Sequence, residues 1–418
     1  MRLSKFGTKF TSKSGILELM DDLGKALASP VKKYPLGGGN PGHIPEMENI
    51  YRKRMEDILK DGDRFEKMVG NYTAPQGDLE FISSFATLLK NKYGWDISEK
   101  NVCVLGGSQT TFFFLFNLLA GQYPDGSFKK ILLPIVPEYI GYEDQGIEKD
   151  FFTSVKPKFN FIDEHTFKYQ IDFDNLKVTP DISAICVSRP TNPTGNVITN
   201  EEVEKLIKLS EENDIPLIMD SAYGQPFPNA IFTDAKPYFG KNIINVYSFS
   251  KIGLPSSRTS VIVGPEELIE ALAAVNAIVS LAPGTIGQYL VLDLIKTGEI
   301  FNVSDNVIKP FYEKRSVEAV EFFHSKMDPK LPYYIHKSEG AFFLWFYFKD
   351  LPITTYELYQ KLKKKNVIVV PGKYFFAGVN ENWKHKDECI RVTYSQGWED
   401  VKKGLEIIAK VVTESYKK

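Results

Sequence analysis

The period of the hydrophobic pattern changes along this chain. From about residue 75 to residue 265, short apolar runs alternate with amphipathic stretches. Asn101–Leu105, Ile131–Val136, Ala184–Ser188, Pro216–Met219, Ile243–Val246 and Thr259–Gly264 each read as a short buried strand. Between them Thr110–Leu119 reads as an apolar helix, and Thr199 with Glu202 reads as a capping box opening a helix over Glu201–Glu212. Strand and helix signals in alternation predict an α/β fold with a mostly parallel central sheet flanked by helices. The pattern changes again near residue 300: a long helix signal, strands near Ala341, Val367 and Ile390, then a helix from Glu399 to the end. The run Ala341–Phe348 is too short to span a bilayer and reads as a buried strand.

Composition narrows the class of protein without naming one. A chain of 418 residues exceeds one typical domain and suggests two. With 51 basic and 53 acidic side chains, no basic stripe argues for nucleic acid. Met1–Thr11 is basic and mixed polar and lacks the apolar core of a signal peptide. Cys103, Cys186 and Cys389 fall in predicted strands with no Cys-x-x-Cys pair, as expected of buried thiols in a reducing, cytoplasmic compartment. The five histidines have no metal-ligand spacing, so no metal is expected.

The chemistry concentrates at the ends of the predicted strands. Ile243–Val246 leads into Tyr247-Ser248-Phe249-Ser250-Lys251, and Arg258 follows seven residues on. A lysine on a rigid element among hydroxyls can form an imine with a carbonyl, and an arginine beside it can fork onto a phosphate. Pyridoxal 5′-phosphate offers both groups. Ala184–Ser188 runs into Arg189-Pro190-Thr191-Asn192-Pro193-Thr194-Gly195, which puts Asn192 at the carboxyl edge of the sheet, where open α/β sheets bind ligands. Pro216–Met219 runs into Asp220-Ser221-Ala222-Tyr223. Taken singly, Asn192 fits a turn and Asp220 fits a cap equally well. Gly106-Gly107-Ser108-Gln109 breaks another strand before a helix, and backbone N–H groups at such a start attract phosphate.

In this order, Asn-Pro-x-Gly, Asp-x-x-Tyr and Ser-x-x-Lys followed by an arginine resemble the fold-type I pyridoxal-phosphate aminotransferases of class I and II. The resemblance implies a large cofactor-binding domain over residues 46–299 and a smaller α+β domain over 300–418, with residues 1–45 packing against the latter. It implies that Lys251 forms the cofactor imine and shuttles the proton, and that Asp220 pairs with the ring nitrogen. Asn192 and Tyr223 would bond the ring's phenolic oxygen. Ser248, Ser250 and Arg258, together with Gly107, Ser108 and Gln109, would hold the phosphate; Gln109 departs from the usual residue there. Tyr139 would stack on the ring face. Tyr72 would cross a homodimer interface to the partner subunit's phosphate. Arg391 would fork onto the substrate α-carboxylate, with Gly39 and Asn192 beside it. An arginine within an apolar strand is costly unless paired.

Longer blocks, among them Leu36–Pro41, Pro137–Tyr142 and His336–Ala341, resemble a branch of that family acting on aliphatic amino acids. The chain has eight arginines, and beyond Arg258 and Arg391 none lies in a segment resembling a side-chain carboxylate clamp, with Arg64 of a partner subunit left open. The segments expected near the substrate side chain, Tyr139, Ile140 and Ile16-Leu17, are apolar or aromatic. The expectation is therefore valine and alanine as donors, pyruvate and 2-oxoisovalerate as acceptors, and aspartate rejected. Other fold-type I enzymes, such as an aminotransferase of different range or a β-lyase, share every cofactor residue named. A regulator of the same fold usually carries a DNA-binding extension.

Overall fold

A computed structural model of the chain describes residues 1–12 and 14–417. Six strands build the main sheet: β1 (Val102–Leu105), β2 (Phe128–Leu133), β3 (Ile182–Ser188), β4 (Leu217–Asp220), β5 (Ile243–Ser248) and β6 (Ser260–Val263). Their spatial order is β1-β6-β5-β4-β3-β2, with the short strands Gly121–Gln122 and Phe152–Ser154 pairing on β2. β2, β3, β4 and β5 run parallel, and β6 is antiparallel to both of its neighbours. β3, β4, β5 and β6 are buried almost throughout, as apolar runs between two helical layers must be. The reversal at β6 restores β1 to the direction of β5. The carboxyl ends of β1, β3, β4 and β5 therefore open on one edge.

Local chemistry sets the element ends. β2 stops at Leu133, short of the predicted Val136, because Pro134 has no N–H for the ladder. The helix after β1 spans Ser108–Leu119 and starts two residues before the predicted Thr110, with Gly107 as its cap. The helix Asn200–Glu212 opens on the predicted capping box: the Thr199 hydroxyl accepts the Glu202 N–H at 3.1 Å, and Glu202 accepts the Thr199 N–H at 2.8 Å.

A second sheet of six strands belongs mostly to the C-terminal part. Its order is Val370–Pro371, Cys389–Thr393, Phe343–Phe348, Tyr333–His336, Thr166–Gln170 and Lys158–Phe161. The last two strands come from the middle of the chain, inside the span expected for the large domain. Thr166–Gln170 pairs in parallel with Tyr333–His336, a contact between residues far apart in sequence that no local pattern encodes. The N-terminal residues also join this unit. Tyr34–Pro35 pairs with Val367–Ile368, and the Thr393 N–H donates to the Leu36 carbonyl at 2.7 Å. Ahead of them lie two helices, α1 (Lys5–Phe10) and α2 (Gly15–Leu27).

Candidate active site

A cavity of about 410 Å³ opens at the shared strand edge. Ser108, Gln109, Tyr139, Asn192, Asp220, Tyr223, Ser250, Lys251 and Arg258 line it from the large sheet, and Gly39 and Arg391 line it from the other side. The turn Phe249–Ile252 that follows β5 carries Lys251, beside the carboxyl end of the neighbouring parallel strand β4. Its Nζ donates to the Gly39 carbonyl at 2.8 Å and lies 5.0 Å from the Tyr223 ring centroid. Desolvation and then the Arg391 charge push this amine down to about 7, with Arg258 adding to the shift against the pull of Asp220. A half-buried lysine that sheds its proton near neutrality is a nucleophile and a base.

Asp220 is buried at the end of β4. Burial pushes its pKa up, while hydrogen bonds and the Lys251 charge pull it down. The Tyr142 hydroxyl donates to Oδ2 at 2.6 Å, and the Ala222 N–H donates to Oδ1 at 2.9 Å. Tyr142 was not singled out from the sequence. The signal available was that a buried carboxylate needs donors, and Tyr142 stands in the block that supplies Tyr139. Tyr139 meets the Tyr142 ring edge-on, with centroids 5.5 Å apart. Glu138, also fully buried, accepts the Ser188 N–H at 2.8 Å; desolvation pushes its pKa up to about 8, helped by Asp220.

The end of the cavity expected to take a phosphate is built around a close approach. Gly107 has φ 92°, and a Cβ there would fall 2.2 Å from Arg258 Nη2, so only glycine lets the guanidinium lie against this loop. The Gly107 N–H is spent on the Leu105 carbonyl at 2.7 Å, so glycine supplies room here, and the amides of Ser108 and Gln109 at the helix start supply donors. Arg258 Nη1 reaches the Ser250 hydroxyl and the Pro255 carbonyl, each at 3.4 Å. Ser248 stands one step behind the wall: it is fully buried, and its hydroxyl accepts the Ser250 N–H at 3.3 Å.

Arg391 is 2% exposed. Nη1 donates to Asn192 Oδ1 at 2.7 Å and Nη2 to the Gly37 carbonyl at 2.6 Å, and the guanidinium lies 4.2 Å from the Phe343 ring centroid. Desolvation pulls it down to about 10, and the groups opposing that shift are phenols, with no carboxylate among the described residues. A buried cation without an anion is an invitation to a carboxylate ligand. Tyr72 lies outside the cavity and is 83% exposed. Arg64 is also outside it, held by Asp61 at 3.1 Å. The remaining wall comes from α2: Ile16, Leu19, Met20 and Leu23 line the cavity, whereas Leu17, expected there, turns outward and is 49% exposed.

Residues 155–408 match the family Aminotransferase class I and II. The chain is 45% identical over 416 residues to valine–pyruvate aminotransferase of Escherichia coli (strain K12), covering 100% of this chain and 99% of that protein. Among solved structures it resembles a provisionally named amino-acid aminotransferase from Psychrobacter arcticum 273-4 with a TM-score of 0.97, 42% identity and coverage of 100% and 99%. It also resembles valine–pyruvate aminotransferase from Salmonella typhimurium LT2, with a TM-score of 0.89, 41% identity and coverage of 96% and 100%. This chain belongs to the class I and II aminotransferases. It has the α/β transferase fold of that family, and it is an enzyme.

Two outcomes follow from this geometry. In the cofactor-free protein, labelling of Lys251 by an amine-selective reagent should rise with pH to a half-maximum near 7, because only the deprotonated amine reacts. Surface lysines should follow at about pH 10.4. Peptide mass spectrometry separates the two, and a Lys251 profile that tracks the surface lysines contradicts the shift. Gly107→Ala should displace Arg258 and weaken binding of a phosphate ester by about tenfold, the order carried by one charge-assisted hydrogen bond. Calorimetric titration measures this, and unchanged affinity counts against the cradle.

Proposed function

We propose that this enzyme holds pyridoxal 5′-phosphate and exchanges an amino group between valine or alanine and pyruvate or 2-oxoisovalerate. The observation that carries this reading is one cavity with a deprotonatable Lys251 at its centre, a buried carboxylate on one side and an anion-free buried Arg391 on the other. The residues fit the cofactor group by group. Asp220, fixed by Tyr142 and Ala222, suits a protonated ring nitrogen. Asn192 and Tyr223 suit the phenolic oxygen, and Tyr139 suits the ring face. Arg258, Ser250 and the first amides of the Ser108–Leu119 helix suit the phosphate, with Ser248 bracing Ser250 and Gly107 making room.

Bound there, the cofactor supplies an aldehyde and an electron-withdrawing ring. The chain supplies the rest. Arg391 and Asn192 grip the α-carboxylate and fix which bond on the α-carbon faces Lys251. Lys251 Nζ would take the α-proton and later give it up again; an amine with a pKa near the working pH suits both uptake and release. Asp220 would keep a cofactor ring nitrogen protonated. Among the described residues, no arginine other than Arg258 and Arg391 lines the cavity, and Ile16, Leu19, Met20, Leu23, Phe112 and Ile140 supply apolar surface. A second, buried carboxylate would find no further arginine there. The names of the E. coli and Salmonella relatives support the same substrates.

In this reading residues 46–299 hold the cofactor, apart from the strands Lys158–Phe161 and Thr166–Gln170, which join the sheet of the second unit formed by residues 1–45 and 300–418; the enzyme works in the cytoplasm. The active unit is a homodimer. Tyr72 stands 83% exposed, and Leu79, Ile278, Val279 and Leu281 are exposed large apolar side chains. The two segments meet, because Asn276 Nδ2 donates to the Pro75 carbonyl at 2.8 Å. A second copy would cover that apolar surface and bring Tyr72 to the partner subunit's phosphate.

Single half-reactions with a panel of amino acids, followed by loss of cofactor absorbance, test the substrate reading. Valine and alanine should react and aspartate should not; Lys251→Ala should bind the cofactor but abolish turnover. Aspartate or glutamate reacting as fast as valine refutes the specificity. For the dimer, a Lys251→Ala chain mixed with a Tyr72→Phe chain should yield one native site per mixed dimer and partial recovery of activity. A fully active monomer in sedimentation refutes it.

A further inference from the structure

α2 presents two chemically opposed faces. Ile16, Leu19, Met20 and Leu23 follow the one-face helical spacing and line the cavity. Glu18 and Asp22, one turn apart, are held from outside it. Asp22 is 5% exposed; Lys363 Nζ donates to one oxygen at 2.6 Å, and the Tyr359 hydroxyl donates to the other. Glu18 accepts the Tyr374 hydroxyl at 2.6 Å and the Tyr356 hydroxyl at 3.2 Å. Tyr356, Tyr359 and Lys363 share one face of the helix Thr355–Lys364, and Tyr374 sits in the turn Gly372–Phe375. Gly15 packs so closely on Tyr374 that a Cβ would fall 2.5 Å from its ring. All four donors belong to the C-terminal unit. Rolling α2 about its axis to turn the apolar face away would strand a buried carboxylate, a cost comparable to breaking a buried ion pair.

Arg391 stands on Cys389–Thr393 of that same unit. An amino acid whose carboxylate lies on Arg391 and whose α-carbon faces Lys251 has the wall under α2 left for its side chain. We infer that α2 is the side-chain selector of this enzyme, and that Glu18 and Asp22 are its positioning residues, locking the apolar roof to the body that carries Arg391. Carboxylate hook and roof then form one fixed gauge for small aliphatic side chains, while Lys251 and Asp220 stand on the other sheet. This rests on the aliphatic-aminotransferase reading above.

The test uses the holoenzyme. The variants are Glu18→Gln with Asp22→Asn, and separately Tyr359→Phe, which weakens the clamp without touching α2. Both should raise KM for valine by about tenfold, the discrimination carried by roughly one methylene contact, and raise it less for alanine. The cofactor absorbance should be unchanged, and hydrogen exchange over residues 15–27 should accelerate. Unchanged KM for valine in both variants, or an equal rise for valine and alanine, overturns the selector. Wild-type enzyme that fails to convert valine overturns the substrate reading instead, and the selector with it.

Discussion

One constraint organises this molecule: cationic side chains are held around a single cavity with too little negative charge to satisfy them. Arg391 is sealed in with amide, carbonyl and aromatic neighbours. Lys251, desolvated and facing Arg391, lowers its proton affinity. Each is stable only because a ligand is expected or a proton can leave. Phosphate and carboxylate are the two anions an aminotransferase must hold, at opposite ends of its substrate–cofactor pair. Arg258 and Arg391 both line the cavity, and in the proposed reading they take one anion each. Stability and function are in tension here, since the groups that make the site reactive are those that burial disfavours.

The second sheet turns that electrostatic arrangement into a mechanical one. Arg391 rises from its middle strands, braced by the ring of Phe343 on the neighbouring strand. Lys251 and Asp220 stand at the ends of adjacent parallel strands of the first sheet. Asn192 links the two through its bond to Arg391. A displacement between the sheets is therefore felt first at the bond between Arg391 and Asn192.

Much of this was legible in the sequence because the chemistry sits at strand ends, where apolar runs meet polar turns. Lys251, Asn192, Asp220 and Gly107 all follow such runs, so their shared edge could be read before their distances were known; Arg258 precedes its strand and reaches the same edge because that strand runs antiparallel. Contacts that cross the chain could not. Tyr142 meets Asp220 from a different loop, and nothing local links them. The outward turn of Leu17 depends on where the phase of α2 is fixed, which is decided by acids docking on a helix more than 330 residues away. Ser248 and Ser250 look equivalent on paper; a backbone turn makes one a wall and the other its support.

The strands Lys158–Phe161 and Thr166–Gln170 carry a consequence for biogenesis. They leave the ribosome long before Tyr333–His336, the strand that gives them a neighbour in the second sheet. Until then the hairpin has an open edge bearing aromatic side chains, and closing the intervening loop is an entropic step that local structure cannot reward early. The nascent enzyme thus passes through a long interval in which its first sheet can begin to assemble while its second exists only as an unpaired template. Lys158 sits exposed on Lys158–Phe161, the strand at the outer edge of that sheet, the kind of charge that discourages pairing with a stranger.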